Sequence, residues 1–265
     1  MQQANDFQLE SEALHALVDP LGEAELEQAT AFKGWTINTV LRHLHVWNQA
    51  AGLSLAGGGR FASFFEKAGP HVSAGTMPAF ELAWMDGLAG PALVETWRHT
   101  FVEIARSFAD ADPSMRVEWA GPSMSARSSI TARLMETWAH GQAVYDALGV
   151  RRVNGDRIRN IVVLGVNTFG WTFKVNRMET PATVPQVCLL APSGETWLYG
   201  EPCDDEYIEG SAEEFCQVVT QTRNVADTGL RVVGPTATAW MRMAQCFAGP
   251  AEKPPAPGMR KTALR

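Results

Sequence analysis

The stretch RLMETWAHGQAVYDALG, residues 133–149, places Glu136 and His140 four positions apart. On a helix, residues i and i+4 project from the same side, so a carboxylate and an imidazole there face one point. On a helical wheel the pair flanks an apolar face of Ile130, Leu134, Trp138, Tyr145 and Leu148, beside a stripe of Ala132, Ala139, Ala143 and Ala147. Such small side chains let a neighbouring helix approach closely, which turns both groups into a helix–helix seam. Two uses fit: a local hydrogen bond within the pair, or joint ligation of something held in the seam.

A third donor is available in GWTINTVLRHLHVWNQAA, residues 34–51. His43 shares a wheel sector with Val40, Trp47 and Ala51, whereas His45 falls opposite, with Asn38 and Arg42, on the side expected to face solvent. His43 is therefore the inward histidine. Together, His43, Glu136 and His140 offer two imidazoles and one carboxylate, a set that suits a divalent transition metal with positions left for water or substrate. Spacing alone does not separate this from a satisfied core histidine beside a Glu–His hydrogen bond.

Two arginines are candidate catalytic cations. In GPSMSARSS, residues 121–129, Ser125 or Ser128 can cap the helix, and its first backbone N–H groups with Arg127 would make an anion site. Ser128 precedes Glu136 by eight residues, about 12 Å along the axis, so only an extended substrate would reach both; the plain alternative is a cap beside a solvated arginine. Arg133, one turn before Glu136, could orient that carboxylate, contact substrate or lie at the surface. Trp47 and Trp138, each near a ligand, are read as an apolar wall, and His15, His71 and His99 as structural.

The elements that must carry these side chains follow from periodicity. Apolar spacing predicts helices near 5–19, 36–55, 89–109 and 127–148, punctuated by AGGGR at 56–60 and DADPS at 110–114. Short helical pieces are expected within 61–88. Four main helices joined this way point to an antiparallel bundle over 1–150 with one long connection. After LGVRRVNGD the character changes. RIRNIVVLGVNTFGWTF reads as one amphipathic helix, VPQVCLLAPSGETWLYGE as a hairpin, Ser211 and Glu214 as a capping box, LRVVG as a strand and TATAWMRMAQCF as a closing helix. That mixture is an α+β domain over 151–250, and the proline-rich AEKPPAPGMRKTALR, 251–265, reads as a flexible tail.

Composition bounds the function classes. The 265 residues are 46% hydrophobic and 19% charged, enough for a sizeable core. A formal charge of −7 argues against nucleic-acid or anionic-membrane partners. The start of the chain lacks a secretory pattern and no run of eighteen apolar residues occurs, so a cytoplasmic protein is expected. The four cysteines show no CxxC spacing and are expected to be reduced and mostly buried.

The pairing of GWTINTVLRHL, 34–44, with MSARSSITARLMETWAHGQAVYDALG, 124–149, resembles the DinB-like superfamily of metal-binding four-helix bundles. More closely, it is similar to the branch related to mycothiol-dependent maleylpyruvate isomerase. The resemblance implies a metal-binding bundle followed by a small α+β domain. It implies one divalent metal, usually zinc, held by His43, Glu136 and His140. It also implies an enzyme acting on a small carboxylate, amide or thioester, with a low-molecular-weight thiol as cosubstrate in some members, and isomerase, transferase or lyase chemistry. The competing expectation is a metal- or small-molecule-binding module without turnover. A homodimer is common among such bundles, though no exposed apolar stripe in this sequence demands one.

Overall fold

The computed structural model describes residues 1–260, and the chain falls into two compact units that meet in sequence between Leu148 and Gly149. The first is mostly helical: α1 (Gln2–Val18), α2 (Glu23–Leu26), α3 (Ile37–Ala56), α4 (Arg60–Ala74), α5 (Met77–Trp84), α6 (Gly90–Asp110) and α7 (Ala126–Leu148). A two-stranded ribbon, β1 (Arg116–Val117) with β2 (Met124–Ser125), leads into α7. The four long helices, α1, α3, α6 and α7, coincide with the four strongest periodic stretches. Helices α1 and α3 each pack on both α6 and α7, and the interior between them buries Phe7, Leu14, Leu41, Trp97, Phe101 and Trp138.

Local chemistry sets where these helices begin and end. Thr36 caps α3, its hydroxyl accepting from the Thr39 N–H. Pro91 stands in the first turn of α6, where a missing N–H costs nothing. The segment 61–88 supplies α4 and α5, which pack on α3 through Phe61, Phe64, Ala68 and Met77 against Val46, Trp47 and Ala50.

The structure also corrects the reading of His45. The residues assigned to the solvent side of α3, Asn38, Arg42 and His45, are all buried. A one-sided wheel presumes a surface helix, but α3 is packed by α6 and α7 and again by α4 and α5.

The second unit is a small sheet domain. It contains a 3-10 turn (Asp156–Ile158), α8 (Arg159–Asn167), α9 (Phe169–Val175), β3 (Gln186–Leu190), β4 (Thr196–Tyr199), β5 (Tyr207–Ser211), α10 (Ala212–Val219), β6 (Arg231–Val233) and α11 (Pro235–Met243). The strands lie in the order β4-β3-β5-β6, with β3 and β5 parallel and the two outer pairings antiparallel. Val187, Leu189, Trp197 and Ile208 are buried, as are Phe169, Phe173, Phe215 and Trp240, whose rings meet at centroid distances of 5.0–5.8 Å.

Several local expectations change here. The single helix expected over 157–173 is broken at Thr168, whose hydroxyl bonds back to the carbonyls of Leu164 and Gly165. Strand β5 has no counterpart in the sequence reading. Ser211 caps α10 through the Glu213 N–H, but Glu214 does not close a capping box; its carboxylate accepts instead from the Gly229 N–H at 2.7 Å. Two of the four free cysteines, Cys216 and Cys246, are buried, and the other two are half-buried.

The tail is not free over its described part. The side chains of Gln221 and Asn224 donate to the carbonyls of Glu252 and Pro255, the Asp227 carboxylate accepts from the Gly258 N–H, and Arg260 donates to the Gln221 carbonyl. Proline removes donors from 251–260 but leaves every carbonyl available, and these side chains use them. Residues 261–265 lie outside the described chain.

Helix α11 is capped from a distance. Glu206 accepts from the Thr236 and Ala237 N–H groups, both at 2.9 Å, in place of a side chain that Gly234 lacks. Gly234 has φ +93°, and a Cβ there would run into the Asp205 carbonyl and the Glu206 carboxylate. Glu206→Ala is expected to lower stability by about 1–2 kcal/mol, since two helix donors lose their acceptor. Urea unfolding followed by circular dichroism measures this, and an unchanged midpoint would refute the cap.

Candidate metal centre

The three predicted ligands converge. One donor atom each from His43 on α3 and from Glu136 and His140 on α7 lie within 4.8 Å of one another. The His140 Nε2 is 3.1 Å from Glu136 Oε2, and the two imidazole centroids are 4.8 Å apart. Donors about 2.0–2.1 Å from a tetrahedral zinc stand roughly 3.4 Å from each other, so side-chain rotation is enough to bring these three onto one ion. The donor set therefore fits a divalent metal. All three are half-buried, with side-chain exposures of 15%, 26% and 11%.

Electrostatics prepare the donors for that use. Burial alone would push the Glu136 carboxyl up, but the hydrogen bond from His140 and the charges of His140, Arg133 and His43 bring it down to about 2. It is an anion at neutral pH. Burial lowers His140 below the ordinary histidine range, with His43 and Arg133 adding to the shift and Glu136 opposing it. A neutral imidazole keeps the lone pair that ligation requires.

The two histidines are held by different means. His43 Nδ1 is hydrogen-bonded at 2.7 Å to Glu81 on α5. His140 is held by aromatic packing: Trp35 stacks on it nearly parallel, 3° at 5.8 Å, and Phe32 meets it edge-on, 87° at 4.9 Å. Both rings come from the turn between α2 and α3, closed by the Thr30 N–H to Trp35 carbonyl and Trp35 N–H to Phe32 carbonyl bonds. Lys33 and Gly34 at its tip are left-handed, with φ of 52° and 69°. That reversal sends Phe32 and Trp35 back over the seam.

The residues matched by one family model run from 7 to 145, and that model is described as the mycothiol maleylpyruvate isomerase N-terminal domain. The chain belongs to this family. All three donors of this family member lie inside the matched span. Over 247 residues it is 38% identical to uncharacterized proteins from two strains of Mycobacterium tuberculosis, covering 92% of this chain and 95% of each relative. Its fold is similar to the crystal structure of the mycothiol-dependent maleylpyruvate isomerase, at a TM-score of 0.52 and 18% identity over 82% of this chain and 87% of that one. A histidine-to-alanine mutant of that enzyme gives a TM-score of 0.53 at 17% identity, with the same coverage.

The other predicted residues separate in this family member. Arg133 is buried behind the triad, donating to Asn48 Oδ1 at 3.0 Å and to the Leu44 carbonyl at 3.4 Å, so a surface role is excluded. Burial pushes its guanidinium down to about 10 against the opposing charges of Glu136 and Glu81, which leaves it cationic at neutral pH. Arg127 is exposed. The anion site proposed beside it does not form: the N–H groups of Ala126, Arg127 and Ser128 are taken by the carbonyls of Met115 and Pro113 and by the Ser125 hydroxyl. Trp47 lines the site, 6.2 Å from the His43 ring, and Trp138 is wholly buried in the core. His15, His71 and His99 lie outside the donor cluster, and each has a neighbour: Asp19, Thr76 and Glu95 respectively.

Phe32, Trp35 and Glu81 were not foreseen. The turn FKGW held one usable signal, two aromatic residues bracketing a lysine–glycine turn just ahead of a capped helix. For Glu81 the one local signal is that it is the single ionisable residue in MPAFELAW.

His45, also on α3, is fully buried and meets no hydrogen-bond partner among the described residues at either nitrogen. Burial pushes its imidazole down to about 4. An unfolded histidine protonates near 6.5, so between pH 6.5 and 4 the unfolded chain binds the extra proton and the folded chain does not. Stability is therefore complete above 6.5 and lost as pH falls, by about 2 kcal/mol from pH 6.5 to 5. Urea unfolding with chelator present should show a flatter acid limb for His45→Leu than for the wild type. Parallel limbs would contradict the shift.

Proposed function

We propose that this chain is a divalent-metal-dependent enzyme of the maleylpyruvate-isomerase-like type. Its substrate is a small carboxylate, amide or thioester, and its cosubstrate a low-molecular-weight thiol. The observation that carries this reading is the convergence of His43, Glu136 and His140 within 4.8 Å, inside the span that matches the family. The packing of α1 and α3 on α6 and α7 supports reading the first unit as an antiparallel four-helix bundle of the DinB-like kind.

A bound zinc ion would supply Lewis acidity toward an oxygen or sulfur donor of the reactants. The chain's own residues do the rest. Glu136 offers a permanent anion and His140 a neutral imidazole. Phe32, Trp35 and Trp47 wall the donors with aromatic surface, which limits water and strengthens electrostatic interactions at the reacting atoms. In the isomerase version the thiol adds across an activated double bond, the resulting single bond rotates, and the thiol is eliminated. Transferase chemistry keeps the adduct.

The test is a zinc-loaded preparation mixed with maleylpyruvate and, separately, with mycothiol, glutathione or cysteine, followed by ultraviolet absorbance and proton NMR. Isomerisation or adduct formation that needs both thiol and metal is the expected result. Stoichiometric metal with no thiol-dependent change for any acid, amide or thioester tried would overturn the enzymatic reading in favour of a binding module.

A further inference from the structure

The carboxylate of Glu81 is wholly buried on α5, a short helix otherwise built from apolar and aromatic residues. One of its oxygens, Oε1, accepts two hydrogen bonds: from the Trp47 indole at 3.1 Å and from His43 Nδ1 at 2.7 Å. The indole N–H can only donate, which identifies Oε1 as an acceptor independently of any choice about the histidine. An ionised carboxylate offers only acceptors, so the proton of the second bond is assigned to His43 Nδ1. With Nδ1 protonated, the lone pair of a neutral ring is on Nε2, the nitrogen free of Glu81.

We infer that Glu81 is the positioning residue of the metal centre, fixing His43 as the Nδ1–H tautomer and aiming Nε2 at the seam shared with Glu136 and His140. This rests on the proposed reading of those three residues as ligands. Three further observations support it. Glu81 comes from outside the four long helices, so α5 delivers a carboxylate that the packing of α3 on α6 and α7 does not need. Its negative charge is opposed by Arg42 and Arg133, both buried, which makes an ionised carboxylate tolerable in that place. Its other oxygen, Oε2, is buried with no partner among the described residues, so the hydrogen bonds that hold Glu81 both run through Oε1, to Trp47 and His43. Carboxylate partners of this kind orient metal-binding imidazoles and raise their basicity.

The first experiment needs no metal. Long-range proton–nitrogen NMR of the metal-free protein, with His43 assigned through His43→Gln, reads the tautomer directly. Wild type should show Nδ1–H. Glu81→Gln should also show it, because the amide oxygen can accept both bonds and the amide group replaces an oxygen that has no partner. Glu81→Leu should show mixed tautomers. The second experiment titrates cobalt(II) into the same three proteins and reads the visible ligand-field bands. Cobalt affinity should fall about 10- to 100-fold in Glu81→Leu and several-fold at most in Glu81→Gln.

An Nε2–H tautomer in the wild type, or unchanged cobalt affinity and spectrum in Glu81→Leu, would overturn the inference while leaving the triad's metal binding intact. A wild type that binds no cobalt would overturn both. If Glu81→Leu does not fold, Glu81→Gln decides: loss of the Nδ1–H signal or an affinity drop beyond 100-fold counts against the positioning role, and retention of both supports it.

Discussion

His140→Ala, purified without chelator or metal-affinity resin, is expected to hold far less divalent metal than the wild type, with affinity falling by more than about 100-fold. Removing an outer partner of a ligand already costs 10- to 100-fold, and losing the ligand itself removes a bond to the ion. Only Glu136 and His43 would remain of the donors that lie within 4.8 Å. Plasma mass spectrometry of both proteins gives the stoichiometry, and circular dichroism checks that the helices survive the loss of a ring packed between Phe32 and Trp35. Glu136→Gln is the companion variant, since it keeps the side-chain shape and removes the charge. Near one equivalent of metal in the wild type and almost none in either variant is the expected pattern. Equal metal in all three would return Glu136 and His140 to the local 3.1 Å hydrogen bond of a packing seam.

Arg133→Met should be the most destabilising single change at the site, by on the order of 3 kcal/mol in the metal-free protein. The guanidinium is buried, and its positive charge is felt by both Glu136 and Glu81. Methionine fills much of the volume, but Asn48 Oδ1 and the Leu44 carbonyl lose their donor and the two carboxylates lose a counter-charge. A divalent cation between the ligands would restore positive charge beside Glu136. Excess zinc should therefore recover more stability in Arg133→Met than it adds to the wild type, a difference that urea unfolding with and without chelator would measure. An unchanged midpoint without metal would mean that the guanidinium contributes nothing net to the buried charge balance. Equal zinc responses would mean that metal and Arg133 do not share the task of neutralising Glu136.

The convergence of the three candidate donors was legible because helical geometry is local. Glu136 and His140 sit one turn apart on α7, and a helix of known phase fixes their common direction whatever surrounds it. The same holds for the four long helices, whose apolar repeats run for seventeen to twenty-three residues. The wheel failed at His45 for an equally physical reason. It can state which residues share a side, but not how many sides are covered: α4 and α5 pack beside Val46, Trp47 and Ala50, while on the flank assigned to solvent Asn38 accepts from the Gly90 N–H at the start of α6 and Arg42 donates to the Leu88 carbonyl. Strand β5 escaped notice because its parallel pairing with β3 is a long-range contact, and its five residues contain only one buried apolar side chain, Ile208. The Ser211–Glu214 spacing was a correct local signal with a different outcome, since a backbone donor at Gly229, fifteen residues away, takes the carboxylate.

By itself the sequence determined which residues could ligate and which helices carry them, since both follow from side-chain chemistry and a 3.6-residue repeat. The tertiary structure alone decided what surrounds the donors. Glu81 reaches His43 across thirty-eight residues of chain, and Arg133 reaches Asn48 across eighty-five. The turn holding Phe32 and Trp35 lays its rings on a histidine of a helix that begins at Ala126. Such contacts have no spacing rule, because they depend on how separate helices pack, and packing is settled by the whole buried interior rather than by any one stretch of sequence.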